Sequence, residues 1–157
     1  MRTVAKVKVE GLRELERSLR ELPKATARNT LRRVLIARAE PIAETMRSLV
    51  PDDPATPENV DLKGSIGVGI KLSKRQAKLH RKETRDDKQF AEVFVGAGPK
   101  PHAHLTEFGG PNNSPVGWAR SAWDQHRESL LDGLKDDLAA EIDKAAKRVA
   151  KRKAKAG

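Results

Sequence analysis

Both tryptophans of the chain fall within residues 102–123, HAHLTEFGGPNNSPVGWARSAW, together with two of its four histidines, in a protein only 3% aromatic. Where the largest packing anchors are this concentrated, the connection that carries them is fixed by packing and is not a slack linker. The stretch breaks at Pro111-Asn112-Asn113-Ser114-Pro115 and passes through Val116-Gly117-Trp118 into Ala119 and a long helical pattern. The N-terminal side of this connection reads as a small sheet with its helices, and the C-terminal side as the helix that covers them.

In order, residues 3–9 alternate as a first strand, and Leu12, Leu15, Leu19 and Leu22 recur at helical spacing before Pro23. A longer helix is predicted over about 24–49, with a stripe of Leu31, Val34, Leu35, Ile42, Met46 and Leu49. Pro41 falls inside that stripe without shifting its phase, so one kinked helix is expected and not two. Residues 51–57, with three prolines, form a stiff loop. Alternation at Leu62, Gly64, Ile66, Val68, Ile70 and Leu72 predicts a strand, and residues 89–95 a second, antiparallel to it. Residues 102–108 are expected to be extended or a short strand. Leu131, Leu134, Leu138, Ile142, Ala145 and Val149 give the final helix a narrow seam.

The expected fold is therefore α+β: a small antiparallel sheet packed against a long kinked N-terminal helix and a long C-terminal helix. One domain over residues 1–143 carries a charged excursion at about 73–88, followed by a basic, fraying tail over 144–157.

The net charge of +10 is unevenly placed. Residues 71–88 hold eight Lys/Arg against three Asp/Glu, and residues 144–157 hold seven Lys/Arg and no acid. The rest of the chain is close to neutral. Lys71, Lys74, Arg75, Lys78, Arg81, Lys82, Arg85 and Lys88 fit two readings. One is phosphate contact without base reading; the other is a solvated excursion, partly helical or partly disordered. With no aromatic residue interleaved, stacking on single strands is disfavoured.

Catalytic chemistry finds little to work with. The absence of cysteine excludes disulfides, Cys-ligated zinc and thiol nucleophiles. His102, His104 and Glu107 have spacing that a strand could offer to a metal, but no third histidine lies close in sequence. No phosphate-binding glycine loop, zincin motif or nucleophile elbow is present. The expectation is no enzyme, no cofactor and no bound metal. With no apolar run of membrane length and no apolar leader at residues 1–12, neither a span nor export is indicated.

A short helix with a Leu-Pro stop, a longer helix, Val50-Pro51, the Asp61-Leu62-Lys63-Gly64-Ser65-Ile66 start, Glu107-Phe108-Gly109 and the entry from Pro115 to Ala122 occur in that order. The arrangement resembles the gene-ten-product-like tail-component family of long-tailed bacteriophages and prophages, over about residues 7–142. The motif residues it points to are Leu62, Ile66, Glu107, Phe108, Gly109, Pro115, Trp118 and Ala122. Asn59-Val60-Asp61 departs from the Thr-Gly common before Leu62, and Trp118 stands later than the expected aromatic.

The resemblance implies a structural virion protein of the neck, made in the host cytoplasm. It would be a subunit of a six-fold ring that completes the tail or joins it to the head, in contact with other neck and tail proteins and non-specifically with passing DNA. A tail terminator and a stand-alone DNA-binding protein are the alternatives.

Overall fold

The computed structural model describes residues 11–51, 61–85, 90–100 and 102–157. The strand expected at residues 3–9, most of the proline loop and Lys88 lie outside them. Helix α1 (Leu12–Glu21) stops at Leu22, and Pro23 opens helix α2 (Lys24–Leu49) at the position where a missing N–H costs nothing. Helix α2 is one helix with Pro41 inside it. Helix α6 (Trp118–Ala156) runs antiparallel along it, because partners rise on one helix as they fall on the other. Arg33 donates to Glu141 (3.1 Å), Arg38 to Asp137 (2.5 Å), and Thr45 meets His126 (2.6 Å).

Two apolar clusters sit at opposite ends of this helix pair. The first joins Ile42, Ala43, Met46 and Val50 of the α2 end to Leu62, Ile66, Trp118 and Ala122. The second joins Leu22, Ala27 and Val34 to Leu138, Ile142 and Ala145, with Leu15 and Leu19 of α1 packed on it. Gly133 lies between them: a Cβ there would overlap the Arg38 guanidinium, which passes over α6 at that point to reach Asp137. A glycine inside a 39-residue helix costs about 1 kcal/mol relative to alanine, and here it leaves room for the Arg38 guanidinium.

The fold is α+β, mostly helical, with a two-stranded antiparallel sheet. Strand β1 (Gly67–Gly69) pairs with β2 (Phe94–Gly96), Val68 opposite Val95. The antiparallel pairing was expected; the strand lengths are corrected. Residues Leu62–Ser65 form a helical turn, α3, whose N-terminus is capped by Asp61 accepting from the Gly64 amide at 3.0 Å. Leu62 and Ile66 are four apart, a spacing shared by strand alternation and a helical turn, and both are buried. The charged excursion expected at about residues 73–88, partly helical or partly disordered, holds helix α4 (Lys74–Thr84). Residues 102–108, read as extended, form helix α5 (Ala103–Phe108). The basic end, read as a fraying tail, is helical to Ala156, and Ala145 is buried within it.

The ion pairs between α2 and α6 carry a pH dependence. Asp137 is held below the usual carboxylate range, first by the hydrogen bond from Arg38 and then by that cation's charge, with desolvation opposing. Glu141 is lowered in the same direction by Lys144 and then Arg33. A carboxylate whose folded pKa is depressed adds stability above its unfolded pKa and loses it as pH falls through the folded value. Acidification through and below the ordinary carboxylate range is therefore expected to weaken the α2–α6 pairing. Asp137→Asn should flatten that acid limb in denaturation measured across pH; an unchanged acid slope would mean that the pair contributes nothing.

Candidate functional site: a capped junction and a basic helix

The junction is built by the chain turning back on α5. Gly109 ends that helix at φ 83 and ψ 169, a backbone region essentially reserved for glycine. A Cβ there would lie 3.0 Å from Pro115 Cδ and 3.1 Å from the Asn113 carbonyl oxygen. Gly110 and Asn113 then exchange backbone hydrogen bonds (2.9 and 3.2 Å), closing the turn. The returning strand of chain is fastened to α5 where Val116 N–H donates to the Thr106 carbonyl (2.8 Å) and Gly117 N–H to that of Glu107 (3.1 Å).

Helix α6 starts here without a capping side chain of its own, because its N-cap is Gly117 at φ 65. Glu107 supplies the cap from the neighbouring helix. Its Oε2 accepts from the Ala119 amide at 2.7 Å and its Oε1 from the Arg120 amide at 3.0 Å. These are the second and third helical amides, the ones a Ser or Asp N-cap normally satisfies, and a carboxylate there also meets the positive end of the helix dipole. The side chain is buried. Trp118 is packed under the same junction, with its indole Nε1–H donating to Thr106 Oγ1 at 3.0 Å. Ala122, one turn on, is fully buried in that cluster.

The motif residues thus divide by role. Leu62, Ile66, Trp118 and Ala122 belong to one core; Glu107, Gly109 and Pro115 shape the turn and cap the helix. Phe108, expected among the packing residues, is 71% exposed. Val116 and Trp123 (47% exposed) are the other exposed apolar side chains on the segments that this junction joins. His102, His104 and Glu107 form no metal-binding group, and among the described residues no cluster of three potential ligands exists. Both oxygens of Glu107 are engaged by α6. The cap escaped sequence reasoning because its carboxylate comes from another element. The available signal was negative: a long helix entered at glycine, with its first amides left unsatisfied.

Helix α4 carries the predicted basic residues. It begins with a capping box that the sequence does show, Ser73-Lys74-Arg75-Gln76: the Gln76 amide donates to Ser73 Oγ (3.3 Å) and the Ser73 amide to Gln76 Oε1 (3.2 Å). Gln76 and His80, four apart, face the sheet. Gln76 Nε2 donates to the Ala97 carbonyl at 3.3 Å, and His80 pairs with Glu92 at 2.9 Å and meets the Phe94 ring edge-on at 5.3 Å. Lys74, Arg75, Lys78, Arg81 and Lys82 are exposed, as are Lys71 just before the helix and Arg85 at its end. Seven of the eight predicted cations are therefore described as solvent-facing, on or beside one helix. The second concentration of charge is the last turns of α6, at the opposite end of the helix pair from the capped junction.

No described helix is long and apolar enough to cross a membrane. No curated protein and no solved structure matches the chain. A family model does match, over residues 13–109, which runs from α1 through Glu107-Phe108-Gly109 and stops before the entry to α6; it is described as "Bacteriophage HK97-gp10, putative tail-component". That match covers more than half of the chain, which therefore belongs to the HK97-gp10-like family of bacteriophage tail components.

Proposed function

We propose that the protein is a ring subunit of the phage neck, completing the tail or joining it to the head, with helix α4 facing the DNA channel. The observation that carries this reading is the exposed basic face of α4, a helix started by a capping box and held toward the sheet by Gln76 and His80. Such a helix presents Lys74, Arg75, Lys78, Arg81 and Lys82 to phosphates with no aromatic group to stack on bases. A conduit requires contact of that sequence-independent kind. Family membership supports a place in the virion, among other tail proteins. The exposed Phe108, Val116 and Trp123 supply apolar surface for a neighbouring copy, and head-to-tail contacts of one chain close into a ring when the rotation closes.

Neutralising the outer face of α4 tests this. Lys78→Gln, Arg81→Gln and Lys82→Gln together leave Ser73, Gln76 and His80 in place, so the helix stays anchored. Particles carrying the triple variant are expected to assemble normally and to lose packaged DNA or infectivity. Unchanged assembly, DNA retention and infectivity would remove α4 from the channel. The two basic concentrations also suit a stand-alone DNA-binding protein. That reading predicts duplex binding by the isolated chain whose logarithmic salt slope falls by about 0.9 per cation removed. The neck reading predicts weak binding by the single subunit.

A further inference from the structure

A second site lies away from both the capped junction and α4. Between the first turns of α2 and the last turns of α6 is a cleft of about 180 Å³, whose polar lining is Thr26, Asn29, Thr30, Arg33, Arg148 and Arg152 and whose apolar lining is Ala145 and Val149. Its lining includes three guanidinium side chains, two threonines and an amide, and no acid. Arg33 is paired on one side with Glu141, which is not part of the lining. Thr30, 2% exposed, lies in the lining of this cleft.

The placement of arginine is a separate observation. The basic end of α6 holds five lysines and two arginines, and the two arginines are the ones that line the cleft. Arg148 and Arg152 are four apart and so share one helix face, while Lys147, Lys151, Lys153 and Lys155 lie outside the lining. Arginine offers a planar fork that pairs two donors with two oxygens of one anion, which lysine does not. Arg33 Nη1 already donates to Glu141 and Arg148 Nε to the Lys144 carbonyl, yet the remaining guanidinium N–H groups, two hydroxyls and an amide still outnumber what the two oxygens of a carboxylate can accept. They match the larger acceptor set of a tetrahedral phosphate group. We infer that the cleft between α2 and α6 is a phosphate-binding site, taking either inorganic phosphate or a phosphodiester of a nucleic acid backbone. The inference stands independently of the ring assignment.

The test is a titration of the full, isotopically labelled chain with inorganic phosphate, against sodium chloride at matched ionic strength, followed through backbone amide resonances. Saturable shifts confined to the surroundings of Thr26, Asn29, Thr30 and Arg148 are expected. Arg148→Gln with Arg152→Gln should weaken the apparent affinity by about tenfold or more. Lys147→Gln with Lys151→Gln removes the same charge outside the cleft and should change it by no more than about twofold. All four positions are exposed, so the fold is retained. A short DNA duplex then separates the sources. Shifts of the same amides, displaced by phosphate, assign the site to backbone phosphodiesters; shifts with phosphate alone assign it to the free anion. Shifts that merely track ionic strength, or that fall equally in the arginine and lysine variants, would overturn the site.

Discussion

Trp118→Ala is expected to destabilise the protein by about 3–5 kcal/mol, the largest effect of any single substitution in the first core. The indole is 4% exposed and packs in the cluster that joins α2, α3 and the start of α6, so its removal leaves a cavity where these elements meet. Domains of this size have total stabilities of roughly 5–15 kcal/mol, so the variant would stand close to unfolding at ordinary temperature. Chemical denaturation of the two chains gives the difference directly. Trp118→Phe retains most of the apolar contact and loses only the hydrogen bond to Thr106, for a cost of about 1–2 kcal/mol. Trp123→Ala, at a half-exposed position, should cost less than about 1 kcal/mol. If the two alanine variants were equally stable, the packing assigned to the junction would be wrong.

The second large effect is expected at Glu107. Replacement by alanine withdraws the carboxylate oxygens that accept from the amides of Ala119 and Arg120, and a negative charge from the positive end of a 39-residue helix. Loss of an N-cap costs about 0.5–2 kcal/mol, and amides left unsatisfied add to it, so about 2–3 kcal/mol is expected. Glu107→Gln keeps one carbonyl acceptor and should lose about half as much. Stability alone would not separate capping from generic burial; amide exchange does. Exchange at Ala119 and Arg120 should accelerate in Glu107→Ala far more than at Leu138 or Ile142, which lie in the second core. Uniform acceleration along α6 would contradict the cap.

The parts of this fold legible in the sequence are those where apolar periodicity has a single reading. The stripe through Val34, Ile42 and Met46 and the seam through Leu138, Ile142 and Ala145 identify the two long helices, and both sets are buried. Leu62 and Ile66 were misleading because a spacing of four satisfies two periods at once; the Asp61 cap decided for a helical turn. Helix α4 has almost no apolar stripe. Its stability comes from the Ser73–Gln76 box and from His80 against Glu92 and Phe94, of which only the box is local. The family motif was visible as residues, but not as roles. Glu107 caps a helix that begins after a reversal of the chain, Gly109 is required by a positive φ, and Phe108 between them faces outward. The cleft of Arg33, Arg148 and Arg152 depends on the antiparallel register of α2 and α6, which sequence spacing does not contain.

The ring assignment is tested most directly by the absolute copy number of this chain in purified particles, measured by quantitative mass spectrometry. A single closed six-fold ring predicts about six copies per particle. Dozens of copies would place the protein in the repeating tail and contradict the neck assignment, and its absence from particles would contradict a virion role altogether.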